Sequence, residues 1–158
     1  MKIDWNQMES VVLLIRAGRI AVELLEKEIV PLAISVPQLS IVISLYEWGE
    51  MTATRLCEIT MRDKANISSL LKKLETAGMV QLKKNASDAR SSFLSLTAKG
   101  KNTAELGLKA EAKVSKQIQK LSSKYPFPKD FLVEMIAKNS NFLVKKELNK
   151  RGKRIDSI

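Results

Sequence analysis

A cluster of basic and hydrogen-bonding side chains between positions 64 and 73 has the chemistry of a nucleic-acid contact. Lysine ammonium groups neutralise phosphates, and an asparagine amide matches the edge of adenine in the major groove. Apolar residues spaced i, i+3, i+4 and i+7 predict a helix with this cluster on its outer face, namely Ile67, Leu70, Leu71 and Leu74. A solvated helix face without a ligand is the alternative interpretation. The candidate DNA-contacting residues are Lys64, Ala65, Asn66, Ser68, Ser69, Lys72 and Lys73.

A second candidate cluster follows Gly78, which stands where a helix C-cap needs a left-handed residue. Alternating apolar and polar residues on either side of the loop 84–91 predict a β-hairpin with a small, polar tip. Such a tip cannot pack into a core and must project toward solvent or a partner. The guanidinium of Arg90 fits the negative potential of a narrow minor groove, and a free surface charge is the alternative. The candidate DNA-contacting residues of this hairpin, called the wing below, are Lys83, Lys84, Ser87, Asp88 and Arg90.

Capping residues divide the chain into the helices that must position these clusters. Asp4 can cap a helix that runs to about position 29. Ser35-Val36-Pro37-Gln38 has the form of a capping box and opens a helix, apolar nearly all round, to about position 48. Thr52 and Asp63 can cap two shorter helices joined by a tight turn. Two such helices followed by a hairpin predict a winged helix-turn-helix.

Two further helices are predicted after the hairpin. Thr97 can cap a helix to about Ser122, and a last helix starts at about Asp130. The first of them carries only a sparse set of apolar residues, and a long, thinly apolar helix is seldom stable alone. The expected fold class is therefore mostly α with a small β-hairpin wing.

Composition excludes several classes of protein. The chain has 158 residues, 45% of them hydrophobic, a net charge of +10, one cysteine and no histidine. Histidine-based catalysis and histidine-ligated zinc are therefore excluded. A Gly-rich phosphate loop, a serine nucleophile elbow and paired cysteines are also missing, so we expect no enzyme, no metal and no cofactor. The positive charge favours polyanionic partners, because residues 51–101 carry ten basic against four acidic side chains.

The sequence also bears on location. Residues 1–4 lack the features of a signal peptide, which are a basic region and a cleavage site of small residues. A single cysteine suits a reducing compartment, so a cytoplasmic location is expected. Residues 29–46 run without a charge, which is near the length of a membrane span. Pro31 and Pro37 interrupt this run, which favours a loop followed by a buried helix and no membrane partner.

The stretch from Ser35 to Gly100 resembles the MarR family of winged-helix transcription regulators. The most specific part is Gly78-Met79-Val80, then Asp88-Ala89-Arg90, then Leu96-Thr97-Ala98-Lys99-Gly100. The resemblance implies a homodimer whose flanking helices interlock. It divides a single domain, 1–158, into an N-terminal dimerisation helix at 1–34, the winged helix-turn-helix at 35–100, and C-terminal dimerisation helices with a basic tail at 101–158.

The resemblance also implies roles for single residues. Arg90 matches the wing-tip arginine that enters the minor groove, and Asp88 matches the carboxylate that orients it. Leu82 departs from the pattern, because an arginine is common there, and Thr60 and Arg62 stand where the turn is usually aliphatic. An effector pocket between the dimer helices and the winged helix is implied, with Trp5, Met8, Tyr46 and Trp48 as candidate lining residues; ordinary core packing is the alternative.

The expected function is sequence-specific binding of double-stranded DNA by a homodimeric transcriptional regulator. We expect a repressor on an inverted-repeat operator, released by a small-molecule effector. A winged-helix protein that binds DNA or RNA non-specifically, without effector sensing, is the alternative. Cys57 falls on the apolar face of a short helix, so an inert core thiol is favoured over a redox sensor.

Overall fold

The described part of the protein contains six α-helices and a small three-stranded sheet. The computed structural model describes residues 8–84, 92–121 and 126–139. The helices are α1 (Ser10–Ile29), α2 (Val36–Trp48), α3 (Ala53–Thr60), α4 (Lys64–Thr76), α5 (Ala98–Gln119) and α6 (Lys129–Asn139), with a 3₁₀ turn at Val30–Leu32. The strands are β1 (Met51–Thr52), β2 (Val80–Lys84) and β3 (Ser92–Leu96). This is the mostly helical winged-helix fold that the sequence predicts.

Side-chain caps start four of the helices at the predicted residues. Ser35 accepts a hydrogen bond from the Gln38 backbone N–H, and the Gln38 side chain accepts one from the Ser35 N–H at 3.0 Å, which completes the capping box of α2. Thr52, Asp63 and Thr97 each accept a hydrogen bond from the backbone N–H three residues ahead, at the starts of α3, α4 and α5. These predicted caps are therefore confirmed. The sequence could predict them because each cap uses contacts within one turn of the chain.

The start of α1 differs from the prediction. The helix begins at Ser10, so Met8 and Glu9 precede it, and Asp4 lies outside the described residues. Glu9 makes no side-chain cap hydrogen bond to the helix. The apolar spacing that suggested a longer helix does not mark a first turn, because spacing alone gives no partner for the free N–H groups at a helix start.

The sheet is antiparallel with strand order β1-β3-β2. The predicted hairpin is formed by β2 and β3, in which Val80 pairs with Leu96 and Leu82 with Leu94. The two-residue strand β1 was not predicted; it pairs Met51 with Leu94 on the other edge of β3. A strand of two residues has no alternation to detect, so it is defined only by its partner.

Helix α2 lies at the centre of the protein. Its residues 41, 42 and 45 join α3, α4 and the sheet in the main core, which also contains Leu56, Ile67, Leu74 and Leu94. On its other side, Leu39 and Ile43 pack with Ile29 from α1 in a second cluster. The prediction of an internal helix, apolar nearly all round, is therefore confirmed.

Within the described residues, no single helix is long and apolar enough to cross a membrane. The segments Ser10–Leu32 and Val36–Trp48 meet the criteria of length and composition only as a pair, and they are bent by 75° relative to each other.

Candidate nucleic-acid interface

Helix α4 is held against the core by its apolar stripe. Ile67 and Leu74 are fully buried, and Leu70 and Leu71 are at most 9% exposed. A short turn joins it to α3; there Met61 adopts a left-handed conformation with φ of 52°, and Thr60 donates its hydroxyl to the Leu56 carbonyl at 2.7 Å. Helices α3 and α4 thus form a helix-turn-helix, with the outer face of α4 directed away from the core.

The predicted contact residues of α4 all lie on this outer face and are exposed. They are Lys64, Ala65, Asn66, Ser68, Ser69, Lys72 and Lys73. In the part of the chain that the structure describes, none of the three lysines has an ion-pair partner, so their ammonium groups are available to anions. The Ser68 hydroxyl donates to the Lys64 carbonyl at 2.8 Å, which leaves its lone pairs to accept a hydrogen bond.

The wing is described only at its base. Lys83 and Lys84 lie on β2, whereas Ser87, Asp88 and Arg90 fall outside the described residues. The Lys83 ammonium forms an ion pair with Glu50, which precedes β1. This pair spans the sheet, because β3 lies between the two edge strands. The role of Glu50 is not predictable from the sequence, since the two residues are 33 positions apart and only the sheet brings them together.

The apolar face of the hairpin is covered at one end only. Val80 and Leu94 are buried, but Leu82, the neighbour of Leu94 across the ladder, is 54% exposed. The main core does not extend to Leu82, so this residue exposes an apolar surface at the base of the wing. An arginine is common at this position in the family that the sequence resembles, and the exposed leucine offers no charge to a phosphate.

The C-terminal end of α4 is tied to the start of α5. Helix α4 ends in a Schellman motif, in which Gly78 has φ of +67° and the N–H groups of Gly78 and Met79 donate to the Glu75 and Leu74 carbonyls. Lys99 donates from Nζ to the Ala77 carbonyl at 2.8 Å, and Thr97 donates from Oγ1 to the Gly78 carbonyl at 2.7 Å. The sequence places Lys99 in the motif 96–100 but gives no sign of this hydrogen bond, because its partner lies 22 positions earlier in the chain.

The described residues place the candidate effector-pocket residues at different parts of the fold. Trp5 lies outside them, and Met8 precedes α1. At the end of α2, Trp48 packs against the main core, whereas the Tyr46 hydroxyl donates to Glu105 on α5 at 3.0 Å. A groove of about 280 Å³ lies elsewhere, between α1 and α5. It is lined by Ala21, Val22, Leu25, Glu111, Val114, Ser115 and Ile118.

Cys57 is half-buried and packs at the edge of the main core, which agrees with the core interpretation. Among the residues that the structure describes, no group of three or more His, Cys, Asp or Glu side chains is arranged to hold a metal ion.

Comparisons with known proteins agree with this geometry. Residues 34–92 match the model of the MarR family, and no curated protein sequence matches the chain. The reduced form of MarR from E. coli has a TM-score of 0.72 and 18% identity, over 86% of this chain and 98% of that one.

Two further solved structures resemble this fold. A MarR cysteine mutant from E. coli complexed with operator DNA has a TM-score of 0.73 and 19% identity, over 85% of this chain and 99% of that one. BpsR from Bordetella bronchiseptica, whose DNA binding is regulated by 6-hydroxynicotinic acid, has a TM-score of 0.70 and 18% identity, over 82% of this chain and 98% of that one.

Proposed function

From the premise that residues 34–92 form a MarR-family winged helix-turn-helix domain, we propose that this protein is a sequence-specific transcriptional repressor that binds double-stranded DNA as a homodimer. The observation that carries the proposal is the outer face of α4, where seven exposed polar, small or basic residues lie opposite a fully packed apolar stripe. A helix of this form beside a wing fits the major groove. The protein acts in the cytoplasm and has no catalytic activity.

Each element takes a part in the DNA complex. Asn66 and Ser69 read base edges, while Lys64, Lys72 and Lys73 neutralise phosphates on either side of the groove. Lys83 and Lys84 contact the backbone from the base of the wing. The tip residues Ser87, Asp88 and Arg90 lie outside the described residues; their role rests on the resemblance, with Arg90 entering the minor groove and Asp88 orienting it.

The N-terminal half of α1 supports the homodimer. Residues 10–20 are all exposed in the single chain, although five consecutive positions there are apolar. These are Val11, Val12, Leu13, Leu14 and Ile15. Phe127, which precedes α6, and Phe131, within α6, are also exposed, at 45% and 61%. Large apolar side chains exposed in this number mark an interface, and a second copy of the chain covers them. Two recognition helices related by a two-fold axis then meet successive major grooves about 34 Å apart, on an inverted-repeat operator.

Release by a small-molecule effector is the remaining part of the proposal. A small molecule, 6-hydroxynicotinic acid, regulates the DNA binding of BpsR, a protein of similar fold, which supports this part of the proposal. An effector bound among the long helices of this dimer changes the spacing of its two winged-helix domains and so its DNA affinity. The candidate lining residues stay Trp5, Met8, Tyr46 and Trp48, and the groove between α1 and α5 is a second candidate location.

A mobility shift assay tests the proposal. Genomic fragments, including the region upstream of the protein's own gene, are bound at about 150 mM salt with excess competitor DNA. We expect a discrete, competitor-resistant complex. Asn66→Ala and Arg90→Ala should lower the ratio of specific to non-specific affinity, while Lys72→Ala should reduce the slope of log K against log salt by about 0.9. Lys116→Ala, on the exposed face of α5, is the control for loss of one charge.

The alternative function, non-specific binding of DNA or RNA, predicts a different result. Phosphate contacts alone give smeared complexes that competitor removes, and Asn66→Ala then has no effect on specificity. That outcome would refute sequence reading by α4 while leaving a basic winged-helix protein.

A further inference from the structure

Three consecutive backbone carbonyls at the end of α4 are all occupied by the start of α5. The Ala77 carbonyl accepts from Lys99 Nζ at 2.8 Å, and the Gly78 carbonyl accepts from Thr97 Oγ1 at 2.7 Å. The Met79 carbonyl accepts from the Thr97 backbone N–H at 3.0 Å. The Schellman motif satisfies only carbonyls earlier in α4, so all three of these acceptors depend on the two donor residues of α5.

The same two residues also form the first turn of α5. Thr97 Oγ1 accepts a hydrogen bond from the Gly100 N–H at 3.1 Å, so one hydroxyl both caps α5 and binds the chain that leaves α4. Gly100 is buried against the Met79 carbonyl, and a Cβ at this position would overlap the carbonyl oxygen. The two segments therefore approach more closely than any other residue at position 100 would allow.

We propose that Thr97 and Lys99 are positioning residues, which fix the direction of the recognition helix α4 relative to the long helix α5. The inference rests on the proposed function, since it assigns a role in DNA reading to residues that lie off the DNA-binding face. Lys99 supplies a cation to the negative end of the α4 dipole, and Thr97 holds the next two carbonyls.

The hydrogen bonds that join the carbonyls of residues 77–79 to Thr97 and Lys99, called the tie below, have a mechanical consequence. Helix α5 has 22 residues, so it spans about 33 Å and packs along both α1 and α2. A tilt of α5 by about 10° around its far end moves its first turn by about 6 Å. Because three carbonyls of the α4 terminus are bound to that turn, α4 follows. Changes in the dimer helices thus reach the recognition helix through residues 77–79 and 97–100.

A competing role for Lys99 is direct contact with a phosphate, because the residue is exposed and basic. The two roles differ in their salt dependence. A phosphate contact contributes about 0.9 to the slope of log K against log salt and acts equally on specific and non-specific DNA. A positioning residue changes the ratio of specific to non-specific affinity and leaves that slope unchanged.

The test compares Lys99→Met with Lys101→Met in the full-length protein. Both variants remove one exposed positive charge from the first turns of α5, but Lys101, unlike Lys99, makes no side-chain hydrogen bond or ion pair in the described part of the chain. We expect Lys99→Met to lower the specific to non-specific affinity ratio by about twofold to fivefold, the range for a cation at an exposed helix terminus. Lys101→Met should leave the ratio unchanged. Lys99→Arg, which can still donate to the carbonyl, should restore the ratio.

Hydrogen exchange provides a second measurement that does not use DNA. Lys99→Met should speed exchange of the Ala77, Gly78 and Met79 amides by a similar factor relative to Lys101→Met, because the interaction that holds this segment is lost. Equal exchange in the two variants would overturn the tie, whatever the DNA result. If exchange responds but wild-type protein forms no competitor-resistant complex, the tie stands and the proposed function fails. A loss of salt slope in Lys99→Met, with an unchanged specificity ratio, would assign Lys99 to a phosphate and overturn its positioning role.

Discussion

Replacing Gly100 by alanine should destabilise the protein, even though alanine is the better helix former. Besides overlapping the Met79 carbonyl oxygen, the new Cβ would lie 3.0 Å from Leu96 Cδ2 and 3.1 Å from the Met79 carbonyl carbon. Atoms in favourable contact lie about 3.5 Å or more apart, so the ends of α4 and α5 must separate by on the order of 1 Å. The Met79 carbonyl oxygen and carbon must move; they are backbone atoms held by the hydrogen bond from the Thr97 N–H, and they have no rotamer to change.

The magnitude follows from two opposed terms. Overpacking in a tightly packed site costs about 1–3 kcal/mol. Alanine in place of glycine within a helix returns about 0.5–1 kcal/mol. Because the overlap is with backbone atoms, the upper part of the first range applies, so the expected net loss is about 1–2.5 kcal/mol, which lowers the melting temperature of a chain of this size by about 2–10 °C. Thermal unfolding followed by circular dichroism at fixed protein concentration measures it, because dimerisation makes the melting temperature depend on concentration.

Gly107→Ala is the matched control on the same helix. A Cβ there also meets a close neighbour, but the nearest atom is Cδ1 at the tip of the Leu39 side chain, and the next two lie at 3.3 and 3.4 Å. A leucine tip can rotate where a carbonyl cannot, so we expect a change within about 1 kcal/mol of wild type. A Gly100→Ala protein as stable as wild type, or more stable than Gly107→Ala, would refute the argument that the α4 and α5 termini are in rigid backbone contact.

Three other perturbations have defined outcomes. Asp63→Ala removes the side-chain cap that accepts a hydrogen bond from the Asn66 N–H at 2.7 Å, and should lower the free energy of unfolding in denaturant by about 1 kcal/mol. Asp63→Asn can still cap the helix and should retain most of the stability. An equal loss in both variants would exclude capping as the cause. Leu74→Ala should lower the free energy of unfolding by about 2–5 kcal/mol, because Leu74 is fully buried. Leu82→Ala, at a side chain that is 54% exposed, should change it by no more than about 0.5 kcal/mol. Similar losses in the two variants would contradict the conclusion that the core does not extend to Leu82. The hydrogen bond from Lys27, followed by its charge, lowers the pKa of Glu23, so the small stabilisation from this pair is present above the unfolded pKa and is lost as the pH falls through the folded pKa. Lys27→Met should raise the pKa of Glu23 toward its ordinary value in an NMR titration, and an unchanged pKa would show that the pair does not form in solution.

Much of the α4 region was predictable from local sequence. The caps at Ser35, Thr52, Asp63 and Thr97 all formed, since each needs only a side-chain oxygen and an N–H three residues away. The left-handed Gly78 was likewise predictable from its place after an apolar helix. The start of α1 at Ser10 was not predictable in this way, because apolar spacing does not mark where the first turn of a helix begins.

Sequence alone therefore determined most helix boundaries, the presence of the hairpin and the exposed face of α4, because periodicity and capping act within a few positions of the chain. Tertiary structure decided the rest. The strand β1 exists only because Met51 lies beside Leu94, and the pair of Lys83 with Glu50 requires the intervening strand β3. The contact of Lys99 with Ala77 joins residues 22 positions apart and depends on how α4 and α5 pack. Such contacts form when separate elements meet at a common core, and no spacing within one element encodes them.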